Sequence, residues 1–183
     1  SWAAPDRKFA ARLVQKLYSE GDSPLRYRIN RLGGRSQRDK WVLQAELFNE
    51  LHRWVRGKWR SIQLAGGSSK EVPRYYGLVR DFIKAAKNVF GDSVWGKDGY
   101  MVTRPVTIKA MIRVCADLAR ADDAEAGRLA RWEARLAPWA ELGKQFKDEG
   151  FYERFPAKGE VERVARVHRD LARAAGIEVG KKS

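Results

Sequence analysis

Residues 70–90 read KEVPRYYGLVRDFIKAAKNVF. Tyr75, Leu78, Val79, Phe82, Ile83, Ala86 and Val89 recur at spacings of three and four, which places them on one face of a helix. Pro73 suits the first turn, and Gly91 and Asp92 close the segment. The spacing therefore predicts a helix from about Lys70 to Phe90. So long an apolar stripe needs other helices to cover it, and the flanking sequence supplies them.

Upstream, Phe9, Leu13, Val14 and Leu17 predict a helix from Pro5 to Ser19, ended by Gly21, Asp22, Ser23 and Pro24. Val42, Leu43, Leu47, Leu51, Trp54 and Val55 predict a second over residues 37–55, with Ser36 as its N-cap. A Gly-Gly-Ser-Ser loop at 66–69 follows. Downstream, SVWGKDGYMVTRP (93–105) reads as loop, with a short extended piece at Tyr100–Val102. Thr103 is placed to cap a helix from Pro105 to Ala119, whose stripe is Val106, Ile108, Met111, Ile112, Cys115 and Leu118. Asp122 or Asp123 would cap the next, to about Leu136. Pro138 would open another that ends before Gly150. Val161, Val164, Val167, His168 and Leu171 mark the last, Glu160–Ala175, with Gly176 as C′ residue. The expected fold is mainly α: one compact helical domain over 1–183, with about six to seven helices and one or two short strands.

The other informative stretch is SPLRYRINRLGGRSQRDK, residues 23–40. Leu25, Tyr27 and Ile29 alternate with Arg26, Arg28 and Asn30, the period of a half-buried strand. On that reading the apolar members enter the core and the arginines stand opposite. Gly33 and Gly34 form a turn.

Charge gives these arginines a partner to look for. The chain has 37 Lys or Arg against 23 Asp or Glu, a net charge of +14. Residues 1–120 hold 24 of the bases and 11 of the acids, while 121–183 are balanced at 13 and 12. A basic footprint of this kind points to a polyanion, nucleic acid first. Arg outnumbers Lys by 23 to 14, and its planar fork meets phosphate bidentately. The candidate contacts are Arg26, Arg28, Arg31, Arg35, Arg38 and Lys40, with Arg53, Arg56, Lys58 and Arg60 nearby on the following helix. Such contacts position a protein without reading sequence.

Catalytic signatures are missing from the sequence. His52 and His168 have no second ligand at metal spacing. Cys115 is the only cysteine and sits on an apolar stripe, as a structural thiol does. LGGRSQ and LAGGSSK do not match a phosphate-binding loop. Carboxylates of the final third alternate with bases as solvated ion pairs. No enzyme activity, cofactor or metal is expected. With one cysteine, no run approaching a membrane span, and Pro5, Asp6, Arg7 and Lys8 interrupting any leader, a reducing cytoplasm is the expected compartment and no membrane the expected partner.

Three stretches resemble the C-terminal part of DGQHR-domain proteins, a bacterial family found with DNA phosphorothioation and other DNA-modification or phage-defence systems. They are ARLVQKLYSEGDSPLRYRINRLGGRS, LVRDFIKAAKNVFGDSVWGKDGYMVTRPVTIKAMIRVCADLAR and FYERFPAKGEVERVARVHRDLARAAG. The Asp-Gly-Gln-His-Arg motif is absent, since Asp98 and Gly99 are followed by Tyr100 and Met101. It would lie upstream if the chain is a C-terminal fragment of a larger protein, and no role of the motif carries over. The resemblance implies a DNA-binding or regulatory module of a DNA-modification-associated protein. The alternative is a helical scaffold docking onto an upstream domain or a protein partner, with Trp2, Trp41, Trp59, Trp95, Trp132 or Trp139 as anchors. An enzyme would need catalytic groups from elsewhere.

Overall fold

The computed structural model describes residues 4–34 and 39–180, and these residues are mainly helical. Eight α-helices are α1 (Pro5–Ser19), α2 (Gln44–Gly57), α3 (Trp59–Leu64), α4 (Ser68–Phe90), α5 (Pro105–Ala121), α6 (Arg128–Leu136), α7 (Phe151–Arg154) and α8 (Glu160–Ala174). A 3-10 helix runs from Ala137 to Phe146. Two strands, β1 (Ile29–Asn30) and β2 (Val42–Leu43), pair in parallel, Ile29 beside Val42 and Asn30 beside Leu43. The chain divides into two compact units, one up to Arg80 and one from Asp81.

In the first unit α1 begins as its sequence dictates. Pro5 gives up no useful donor at N1, and Asp6 sits where the helix dipole favours an acid. Phe9, Leu13, Val14 and Leu17 are all buried. Helix α2 packs on α1 and runs against it, since Asp6 meets His52, Arg7 lies over Phe48, and Ala11 and Val14 share a cavity with Gln44 and Ala45. Leu47, Leu51 and Val55 face this seam.

The strand expected at 25–30 is corrected to two residues. The last carbonyls of α1 need donors, and the chain folds back to provide them. Ser23 Oγ donates to the Leu17 carbonyl at 2.5 Å, and the Tyr27 N–H donates to that of Tyr18 at 3.1 Å. Residues 24–27 are therefore turn. Leu25 and Ile29 are buried as expected, but Tyr27 adopts a left-handed φ of 60° and is half exposed. Asn30 then ends β1: its side chain accepts from the Leu32 N–H and donates to the Gly33 carbonyl, both at 3.0 Å. Gly33 and Gly34 follow at φ 85° and 80°, values that favour glycine.

The helix expected over 37–55 is also shortened. Val42 and Leu43 are extended and pair with β1, so α2 starts at Gln44, where Glu46 reaches back to the Leu43 N–H at 3.0 Å. Ser36, the expected N-cap, lies outside the described residues. Pro73 sits inside α4, beyond its first turn.

The second unit is built on α5 against α8. Pro105 occupies the first turn of α5, and the N-cap is Arg104, not Thr103, which is buried. The extended piece at Tyr100–Val102 reduces to a single bridge between Tyr100 and Lys147. Neither Asp122 nor Asp123 caps α6; Gly127 does, at φ 67°. Asp122 instead accepts two charge-assisted hydrogen bonds from the Arg131 guanidinium, at 2.7 and 3.0 Å. Trp132 and Trp139 stack edge-on to Phe82, and Phe90, Phe146, Phe151 and Phe155 form a ring-to-ring cluster.

Candidate nucleic-acid interface

The turn that returns to α1 gathers cations and rings. The Arg26 guanidinium lies 4.8 Å from the centre of the Tyr27 ring and donates to its hydroxyl at 3.1 Å. That of Arg31 lies 4.6 Å from the centre of the Tyr18 ring. Tyr18 and Tyr27 meet edge to face at 5.4 Å, so Arg31, Tyr18, Tyr27 and Arg26 form one continuous row. Arg28 lies 4.9 Å from the Trp41 ring centre and donates to the Asp39 carbonyl at 3.3 Å. Lys40 Nζ donates to the Tyr27 carbonyl at 2.5 Å, holding the left-handed turn.

Arg26, Arg28 and Arg31 are exposed, and no carboxylate meets them among the described residues. Lying over a ring restricts each guanidinium while the residue stays exposed. Four acids of this unit are engaged elsewhere. Asp6 pairs with His52, Glu20 with Lys16, Glu71 with Arg74, and Asp22 with Arg80 and the Tyr76 hydroxyl. These bonds hold Asp6 and Asp22 below the ordinary carboxylate pKa, the His52 and Tyr76 hydrogen bonds being the largest causes. Asp39, next to Lys40, is the exposed acid nearest the turn, and Arg28 meets its backbone carbonyl and not its carboxylate.

The other expected contacts do not join this row. Arg53 and Arg56 are exposed in the last two turns of α2, with Lys58 and Arg60 exposed just beyond. Arg28 and Arg31 lie at the opposite end of that helix, beside Trp41, Leu43 and Gln44. The rise along α2 from Gln44 sets Arg53 and Arg56 about 14 and 18 Å along its axis. Arg53, Arg56, Lys58 and Arg60 thus lie toward the far end of α2 from the turn. Arg35 and Arg38 lie outside the described residues.

Reading the sequence as a strand assigned Tyr27 to the core and did not single out Tyr18. The available signal was the interleaving of Arg with Tyr at 26–28. An open cavity of about 340 Å³ adjoins the row, its lining apolar at Ala11, Val14, Leu43, Ala45 and Phe48 and polar at Asn30, Arg31 and Gln44, with Gly33.

The scaffold anchors fare differently. Trp41, Trp95, Trp132 and Trp139 are buried and Trp59 is half-buried, so four of them are core residues and cannot anchor a partner as they stand. Trp2 lies outside the described residues. Both histidines pair with an aspartate: His52 with Asp6 at 2.8 Å and His168 with Asp117 at 2.6 Å. Among the described residues, no group of three His, Cys, Asp or Glu is placed to hold a metal, and no helix is long and apolar enough to cross a membrane.

No protein-family model, curated protein or solved structure matches this chain.

Proposed function

We propose that the first unit binds nucleic acid non-enzymatically, through phosphate contacts made by Arg26, Arg28 and Arg31 and extended by Lys40. The observation that carries this reading is the set of exposed guanidiniums stacked on rings with no carboxylate partner. A stacked arginine keeps its fork aimed, so less side-chain entropy is lost when phosphate arrives. Arg53, Arg56, Lys58 and Arg60 form a second basic group, a helix length away, that a polyanion of several nucleotides can also reach. The composition agrees: residues 1–80 hold 17 of the bases and 7 of the acids, against 20 and 16 in the rest.

DNA is the favoured polyanion because of the resemblance to DGQHR-domain proteins, and a regulatory or DNA-contacting role beside DNA-modification or phage-defence enzymes is the setting it implies. The cytoplasm is the compartment that fits this role. The scaffold reading is less favoured, since most of its proposed anchors are buried.

The test is fluorescence anisotropy with labelled mixed-sequence DNA, single-stranded and duplex, at several salt concentrations. Affinity should fall steeply with salt, log K declining by about 0.7–0.9 per phosphate contact against log salt. An absence of binding at low salt would end this reading.

A further inference from the structure

We infer that the row Arg31–Tyr18–Tyr27–Arg26 and the cavity beside it take unpaired bases, so that the preferred polyanion is single-stranded; this rests on the nucleic-acid reading above and names its ligand class.

Tyr27 is a non-glycine residue at φ 60°, the only one with positive φ among the described residues. A bulky side chain is rarely found there, because the left-handed region crowds its Cβ. The conformation turns the ring outward, leaving Tyr27 50% exposed when a strand would have buried it. The row also holds both kinds of group on which bases stack, a half-exposed tyrosine ring and exposed guanidiniums. Leu32, next to Arg31 in sequence, is an apolar side chain 99% exposed. Arg31, finally, belongs both to the row and to the lining of the 340 Å³ cavity. That cavity has a largely apolar lining that also includes Arg31 and Gln44. Its volume is within the range of small-molecule pockets, and its make-up suits a planar heterocycle bearing hydrogen-bonding edges. Phosphate alone would need neither the exposed ring nor the apolar lining. Paired bases in a duplex cannot present their faces to either.

The experiment compares three labelled probes of about 16 nucleotides, near the upper site size of single-strand-binding modules. They are a mixed-sequence single strand, a single strand abasic at every position, and a duplex. The full chain should bind the base-containing strand at least about fivefold more tightly than the abasic one, as stacking of even one base implies. The Tyr27→Asn variant keeps a residue that tolerates the left-handed backbone but lacks a ring. It should narrow the gap between the two single strands by weakening only the base-containing one, while Tyr27→Phe keeps the full preference. Equal affinity of the parent for base-containing and abasic strands, tighter binding to duplex, or a preference undiminished in Tyr27→Asn would overturn this inference and leave phosphate binding standing. A parent that binds none of the three probes at low salt would overturn the underlying reading instead.

Discussion

Arg128 Nε donates to Asp81 Oδ2 at 2.8 Å, and only 3% of the Arg128 side chain and 12% of that of Asp81 reach solvent. The guanidinium also donates to the Asp123 carbonyl at 3.1 Å and lies over the Trp132 ring. In the second unit, arginine is thus spent on fixing α6 against the start of that unit. In the first unit, Arg74 and Arg80 also meet acids, but Arg26, Arg28 and Arg31 do not. Breaking a buried pair strands a charge, at a cost of about 3–5 kcal/mol. Arg128→Met should therefore lower the urea unfolding free energy by roughly that amount. Removing both charges, as Arg128→Met with Asp81→Leu, should recover much of it. A single variant as stable as the parent would show that the pair is not buried in solution.

Cys115 gives a second check on the same core. It is fully buried, and burial pushes its thiol well above the ordinary value, with nearby Arg128 opposing only in part. Thiolate is the reactive form. Alkylation of the native protein should be far slower than in denaturant and should show little rise between about pH 7 and 9. Rapid stoichiometric labelling of native protein would mean that this face of α5 is open to solvent.

Long helices were legible because their stripes are long: α1, α4, α5 and α8 lie within a residue or two of their expected bounds. Short elements were not. Val42 and Leu43 fit a helical stripe equally well, and only their parallel pairing with Ile29 and Asn30 decides otherwise. Tyr27 fits a strand by period, but the orphan carbonyls at the end of α1 claim its N–H. Asp122 has the chemistry of a cap, yet Arg131, nine residues on, competes for it and wins. The site shares this limit. Which residues are basic is written in the sequence, but which arginines find a carboxylate is decided by pairs far apart in it, such as Asp22 with Arg80.

That pair makes the stability of the first unit depend on pH. Asp22 accepts from the Tyr76 hydroxyl and from Arg80 at 2.9 Å, which lowers its pKa from 3.8. A depressed carboxylate stabilises the fold above its unfolded pKa and loses that contribution as pH falls through the folded value. Asp22→Asn should thus cost about 1 kcal/mol near pH 7, a modest figure because the carboxylate is half exposed. The gap between variant and parent should close as pH drops below about 4. Tyr76 acts in the opposite direction. Burial, then the Asp22 hydrogen bond, raise its pKa, so its contribution is present below about pH 10 and fades above it. Urea midpoints of parent, Asp22→Asn and Tyr76→Phe across pH would show both limbs. A pH-independent Asp22→Asn effect on the acid side would mean that Asp22 does not hold this site as a carboxylate.

The stacked arginines themselves allow a direct comparison of position against charge. Arg26, Arg28 and Arg31 changed together to Ala remove three cations from the turn. Lys87, Lys144 and Lys158 changed to Ala remove three cations from the second unit. Long-range field effects depend mainly on net charge, are screened within about 10 Å at 0.1 M salt, and should respond alike to both changes. Direct phosphate contacts are local, so only the arginine triple should flatten the dependence of log K on log salt, by about 0.7–0.9 for each phosphate no longer touched. Stability should change little in either, because exposed charges contribute about 0–1 kcal/mol per interaction, although the arginine triple also gives up its ring stacking. The two variants, made at equal net charge and compared by anisotropy over a salt series, separate a contact surface from a merely positive protein. Matching slopes in the two triples would mean that the arginines of the turn touch no phosphate.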